Sequence, residues 1–218
     1  AAIEALALET NDGGPAVLIG TPWVEEDRLH NSQVLLDQGK VVTARHKYDL
    51  PNYGVFDEKR IFDPGPLPGP INFRDVRIGV PICEDVWTPD VVECIAETGG
   101  ELLLVPNGSP FEIGKSDMRI HHAVARVVES GLPLVYLNQI GGQDELVFDG
   151  GSFVMNADRN LAWQMPAWRE DLAITYWNRT GNTWQCQQGK TCDIEDGLSA
   201  IYQAMTVGLR DYVNKNGF

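Results

Sequence analysis

The sequence predicts an α/β protein built in layers, and three observations carry that prediction. Short apolar runs recur between turn-forming residues, as buried strands do. Between several of them lie segments whose apolar residues repeat at helical spacing. Paired runs joined by tight turns add hairpins, so that strands and helices alternate with hairpins interspersed, the pattern of α/β layers.

The elements follow in order. Residues 1–8, rich in Ala, Leu and Glu, read as the tail of a helix. Residues 16–20 form an apolar strand. A hairpin comes next, with strand 32–37, a turn at Gln38-Gly39 and strand 41–44. Residues 61–70 repeat Pro and Gly and must be loop. Strand 78–82, helix 90–97, strand 101–105, helix 117–130 and strand 133–137 then alternate. A later hairpin, 152–165, turns at residues 156–160. Residues 178–197 are polar and lack periodicity, which reads as a linker. Beyond it Leu198, Ile201, Tyr202, Met205, Leu209, Tyr212 and Val213 recur at helical spacing. That stripe could serve a membrane surface, a partner or the same core, and its acidic flanks favour docking on another domain.

Composition bounds the function. The chain is long enough for one substantial domain with a proper core. A net charge of −14 argues against a nucleic-acid partner, because phosphate binding needs concentrated Lys and Arg. No apolar stretch approaches the roughly 20 residues of a membrane helix, and no signal peptide is visible at Ala1. The four cysteines are irregularly spaced and do not form the framework of a small secreted domain, so the cytosol is the simplest assignment. Cys186 and Cys192 lack a second ligand pair, and His121 and His122 diverge by about 100° on a helix, so no metal site is expected.

Cys83 ends the apolar run 78–82, where the chain turns polar at Glu84 and Asp85. Carboxyl ends of strands in open α/β sheets are where ligands bind. A cysteine there is either a nucleophile or, as free cysteines often are, a plug in the core. Two neighbouring carboxylates would disfavour the thiolate if they faced it, so a nucleophile requires a nearby cation. Lys47, which also follows a strand and precedes Pro51, is the best candidate, although most lysines in such places are solvated.

The segment His46-Lys47-Tyr48-Asp49-Leu50-Pro51-Asn52-Tyr53-Gly54-Val55-Phe56-Asp57-Glu58 and the segment Gly79-Val80-Pro81-Ile82-Cys83-Glu84-Asp85-Val86-Trp87 together resemble the nitrilase superfamily. They are most similar to the glutaminase domains of the glutamine-dependent NAD synthetase family. Further matching segments are Val105 through Pro110, Ala125 through Gly131, Tyr136 through Gly150 and Gly208 through Phe218, in the family's order. The resemblance implies a four-layer αββα sandwich. It also implies a domain organisation of glutaminase 1–178, linker 179–197 and helix 198–218 leading into a synthetase domain.

The same resemblance implies a chemistry. Cys83 is the nucleophile, and Lys47 is the cation that stabilises thiolate and oxyanion, joined by the backbone N–H of Glu84. Glu58 matches a second glutamate that orients Lys47 or the base; otherwise it is a solvated loop carboxylate among Asp57, Lys59 and Arg60. Tyr53, Ser109 and Lys115 carry over as glutamine contacts, against the plainer readings of a turn serine and a solvated lysine. The partners implied are glutamine, the chain's own synthetase domain and further copies of the chain. No cofactor is expected in this domain; ATP, magnesium and deamido-NAD belong to the synthetase domain.

One departure stands out. The family's general base is a glutamate after an earlier strand, and none of Glu4, Glu9, Asp12, Glu25, Glu26, Asp27 and Asp37 ends an apolar strand in that setting. The expectation is a chain that lacks the first strands, a helix and the base. A stand-alone amidase acting on another small amide and a catalytically silent interaction module are the competing readings.

Overall fold

A computed structural model describes residues 1–181 and 183–218. Its chain opens with α1 (Ala2–Glu9), followed by β1 (Val17–Glu25), β2 (Arg28–Asp37) and β3 (Lys40–His46), which pair as an antiparallel meander. Glu26 and Asp27 (φ 48° and 62°) form the first turn, and Gln38 and Gly39 (φ 49° and 77°) the second. Paired left-handed residues are what a two-residue hairpin turn needs. Strand β1 runs five residues beyond the expected end at Gly20, to Glu25. Pro22 is tolerated there because β1 is an edge strand of the meander.

The second sheet holds β4 (Ile71–Phe73), β5 (Val76–Gly79), β6 (Leu102–Asn107), β7 (Leu134–Asn138), β10 (Phe153–Met155) and β11 (Leu161–Gln164). Its order is β11-β10-β7-β6-β5-β4, with β5, β6 and β7 parallel to one another. Helices α2 (Asp90–Glu97) and α3 (Lys115–Ser130) connect these parallel strands. A separate hairpin, β8 (Ile140–Gln143) with β9 (Leu146–Asp149), projects between β7 and β10.

Alternation along the strands builds the layers. Val91, Val92 and Ile95 of α2 and Ala123 and Val127 of α3 pack on Leu103, Val105, Leu134, Tyr136 and Phe153. Leu18 and Leu35 of the meander pack with Ile71 and Ile78 of the large sheet and with Val80 just past β5. Their neighbours Val17, Ile19, Val34 and Leu36 point the other way, onto Ile3, Leu6 and Ala7 of α1. Side chains of period two thus sort into opposite cores, and the result is the expected four-layer αββα sandwich.

Several elements differ from the sequence expectation. The strand expected at 78–82 leaves the sheet after Gly79, since Pro81 has no N–H for a ladder and the chain must turn at Cys83. The short strand β4 was not anticipated, because three residues after Pro70 carry too little pattern. The Gly-rich hairpin β8–β9 was missed for the same reason.

The linker expected over 179–197 is corrected. It carries the hairpin β12 (Trp177–Thr180) with β13 (Thr183–Cys186), although Asn182 lies outside the described residues. Cys186 is buried against Val154 and Ala162, and its backbone N–H donates to Asn156 Oδ1 at 2.8 Å. Tertiary contacts, invisible as periodicity, order this polar segment.

The last helix, α4 (Gly197–Asn216), docks through Ala200, Ala204 and Val207 onto Trp168, Phe111 and Val147. The apolar stripe read from the sequence lies mostly on its other side: Leu198, Tyr202, Met205, Leu209 and Tyr212 are exposed. Small residues do the docking because the backbones approach closely; a Cβ on Gly142 would sit 3.0 Å from Cα of Gly208. Among the described residues no helix is long and apolar enough to cross a membrane.

Candidate active site

The carboxyl ends of β5, β6 and β7 open toward the end of β3, and the candidate residues collect there. Lys47 follows β3 directly. Its N–H donates to the Asn31 carbonyl at 2.8 Å, and its own carbonyl accepts from Gly65 at 2.8 Å. Only 1% of Lys47 is exposed. A buried ammonium must be paired, and Lys47 Nζ donates to Glu58 Oε1 at 2.7 Å. Glu58 sits on a 3-10 turn, Glu58–Arg60, reached after the loop through Pro51 and Tyr53.

Cys83 begins a second 3-10 turn, Cys83–Val86, and has φ 50°. A non-glycine residue in the left-handed region is strained by on the order of 1–3 kcal/mol and persists only where its surroundings hold it. The turn also places the Glu84 N–H in a helical first turn, where backbone donors have no partner within the helix. Burial pushes the Cys83 thiol above its ordinary value. The Lys47 charge pulls it back, Glu84 and Glu58 push it up, and a hydrogen bond with the Gly108 backbone favours the thiolate. In the resting site the thiol keeps its proton with a cation beside it.

The two acids after Cys83 face different ways. Glu84 Oε1 accepts the Tyr53 phenol at 2.6 Å, and burial together with that carboxylate keeps the phenol protonated. Asp85 is fully buried and points at the backbone: Oδ1 accepts the N–H groups of Tyr48 (3.1 Å) and Asp49 (2.8 Å), and Oδ2 that of Ile82 (2.9 Å). Burial raises its pKa to about 6, with the hydrogen bonds opposing.

Lys115 opens α3, is buried, and pairs with Glu112. Its ammonium lies 5.9 Å from the ring centres of both Phe56 and Trp87. Trp87, four residues past Cys83, stacks on His122 of α3 at 4.4 Å. Ser109 lies on the loop after β6, next to Gly108, and is buried. Its N–H donates to Asn138 Oδ1 at 2.9 Å, while its hydroxyl accepts from Arg119 Nε at 3.1 Å. Arg119 in turn forms a bidentate pair with Asp149, at 2.8 and 2.9 Å, and holds the carbonyls of Ser109 and Pro110.

The fold therefore gathers Cys83, Lys47, Glu58, Glu84 and Tyr53 into one set of contacts, with Lys115 beside it through Phe56 and Trp87. Ser109 comes to the same loop, but its hydroxyl is turned onto Arg119. None of the seven acids upstream of Lys47 is among the groups acting on the Cys83 thiol. Glu25 pairs with His46, Asp37 with Arg74, Asp12 accepts the Gly14 N–H, and Glu26 and Asp27 occupy a turn. Among the described residues, the carboxylates whose charge bears on Cys83 are Glu84 and Glu58. No group of three or more His, Cys, Asp or Glu among the described residues could hold a metal ion.

Sequence reasoning did not anticipate the parts played by Asp85, Glu112, Arg119 and Asp149. Asp85 alone left a signal: an acid at the third position of a helical turn, spaced to reach back to the N–H before it. The long-range pairs of Arg119 have no local signature.

Residues 1–180 match the family model described as carbon-nitrogen hydrolase. A glutamine-dependent NAD(+) synthetase of Rhodobacter capsulatus is 44% identical over 218 residues, covering 100% of this chain and 39% of that protein. One of Acinetobacter baylyi is 37% identical over 199 residues, covering 89% of this chain and 36% of that protein. Among solved structures, the glutamine-dependent NAD+ synthetase from Acinetobacter baumannii in complex with adenosine diphosphate superposes with a TM-score of 0.86 at 35% identity, covering 93% of this chain and 38% of that one. An amidase from Nesterenkonia sp. AN1, captured with acrylamide added to its active-site cysteine, gives a TM-score of 0.63 at 29% identity, covering 74% and 62%. The chain thus spans about 39% of the length of the first synthetase it matches.

Proposed function

The chain belongs to the carbon-nitrogen hydrolase family, and on that premise we propose that it hydrolyses the side-chain amide of glutamine through a Cys83 thioester. The ammonia is delivered to a synthetase active site outside residues 1–218, where ATP drives the amidation of deamido-NAD to NAD. The observation that carries this reading is a strained cysteine in the turn after β5, under the charge of a buried lysine held by a glutamate. Such an arrangement supplies a nucleophile and a fixed positive charge where an oxyanion develops.

The steps follow from that geometry. Sγ attacks the amide carbon, and the oxygen it pushes out is met by the Lys47 ammonium and the Glu84 N–H. Collapse of the tetrahedral adduct breaks the C–N bond, and the thiol proton leaves with the amine as ammonia. Water then cleaves the thioester, giving glutamate and restoring the thiol. Tyr53 stands exposed at the mouth, and Lys115, buried beside Phe56 and Trp87, is placed to meet the polar end of the substrate. Glu58 and Glu84 are already engaged by Lys47 and Tyr53, so the isolated chain turns over slowly. ATP, magnesium and deamido-NAD bind in the synthetase domain, the enzyme acts in the cytosol, and further copies of the chain assemble around it.

The test is made on the full-length protein. It should release ammonia from glutamine and form NAD when ATP and deamido-NAD are added. Cys83→Ala removes the nucleophile and should abolish glutamine-dependent NAD formation, and Lys47→Met should lower it by at least ~10²-fold, the usual scale for losing electrostatic stabilisation of an oxyanion. Both should leave synthesis from added ammonia intact. Retention of glutamine-dependent activity in Cys83→Ala would overturn the reading.

A further inference from the structure

We propose that Asp85 is a positioning residue that locks the segment carrying Lys47 onto the turn carrying Cys83. The inference rests on the reading of Cys83 as nucleophile and Lys47 as its cation, and it names the group that sets their relative placement. One carboxylate oxygen takes the N–H groups of Tyr48 and Asp49, the residues immediately after Lys47. The other takes the N–H of Ile82, immediately before Cys83. Tyr48 and Asp49 lie 37 and 36 residues before Asp85, and the two segments follow strands of different sheets of the sandwich. A single side chain thus joins the backbone on both sides of the site.

Two further observations support the lock. A carboxylate fully removed from water is costly unless its oxygens are satisfied, and here every acceptor contact is to backbone rather than to a mobile side chain. Cys83 sits at φ 50°, a conformation that needs an external hold. The bond from Ile82 N–H to Asp85 supplies that hold one residue upstream.

Asp85→Asn in the full-length protein separates positioning from its alternatives. The amide keeps one acceptor oxygen, but its NH2 group then faces a backbone N–H, donor against donor, so one of the two segments is released. The readout is the pH of half-maximal alkylation of Cys83 by iodoacetamide, followed by peptide mass spectrometry with Cys94, Cys186 and Cys192 as references. The titratable groups coupled to the thiol are Lys47, Glu84, Glu58, Tyr53 and Tyr136, and those coupled to Asp85 are Lys47 and Asp49.

If Asp85 only adds negative charge to the site, its removal lowers the Cys83 midpoint. If it only stabilises the fold, the midpoint stays put while the melting temperature falls. Positioning predicts the opposite sign: Lys47 drifts from the thiol, the midpoint rises by about 1 pH unit, and alkylation at pH 7 slows about tenfold with the thiolate fraction. Asp85→Glu, which keeps both acceptor oxygens, should recover part of the shift. An unchanged or lowered midpoint in Asp85→Asn overturns the proposal.

If the variant unfolds, seen as faster alkylation of all four cysteines, hydrogen exchange in the unmutated protein decides. The amides of Tyr48, Asp49 and Ile82 should then exchange together, at least ~100-fold slower than unstructured chain. Exchange of any of them at unstructured rates overturns the lock. Because none of these measurements reads glutamine turnover, a shifted Cys83 profile without ammonia release would strike the substrate reading and leave the lock standing.

Discussion

Burial works against ionisation of both Cys83 and Asp85, and the site depends on how each is compensated. Lys47 and the Gly108 backbone offset the cost of a thiolate only in part, so Cys83 rests above its ordinary pKa. For Asp85 the backbone hydrogen bonds fail to cancel desolvation, and its pKa stands at about 6 against an ordinary 3.8. Between those values the native protein binds a proton that the unfolded chain has released. Stability therefore falls as pH rises from about 4 to about 6 and is flat above, by a total on the order of 3 kcal/mol. Urea unfolding of the wild type and of Asp85→Asn from pH 4 to pH 7 should show their difference moving against the wild type across that interval. A difference independent of pH would mean that Asp85 is ionised throughout.

At the scale of elements, the strand that delivers Cys83 is placed by how closely helix α2 approaches it. A Cβ on Gly79 would lie 2.5 Å from Ile95 Cγ2 and 2.9 Å from Leu103 Cδ2. Both neighbours are fully buried and have no room to withdraw. Gly79→Ala should cost about 1–3 kcal/mol in denaturant unfolding, the usual range for overpacking a tight core. A loss below about 0.5 kcal/mol would show that the α2–β5 seam can open. Helix α2 was legible from the sequence to the residue, because Val91, Val92 and Ile95 repeat at helical spacing. The hairpins β8–β9 and β12–β13 were not, since Gly-rich and polar strands show no alternation to read.

Across the whole molecule, one buried ion pair ties together segments distant in the chain. Arg119 from the second turn of α3 grips Asp149 at the end of β9 and the carbonyls of Ser109 and Pro110. That loop carries Gly108 against Cys83 and Phe111 against α4. Arg119→Met leaves Asp149 buried without its cation and should cost about 3–5 kcal/mol. Adding Asp149→Leu removes the orphaned charge and should recover part of the loss, measured by urea unfolding of both variants. If the double variant is as unstable as the single one, the pair contributes packing rather than charge balance.

What the sequence determined by itself is the layered α/β class, the helices that bury an apolar face, and the strand end bearing Lys47; Cys83 lies in the turn after its strand. These rest on local periodicity and on residue types that have few other uses in such places. Tertiary structure decided the rest. Glu58 could be told from a solvated loop acid only when the chain folded it onto Lys47, because a carboxylate's role depends on its partner. Glu84 and Asp85 are adjacent in sequence, yet one meets a phenol at the mouth and the other meets backbone in the interior. The 3-10 turn after Cys83 rotates them apart. The segment after Trp177 reads as a linker until Cys186 finds Val154 and Ala162. Contacts across long stretches of chain leave no period in the sequence, and they are what make this cysteine's surroundings a candidate site.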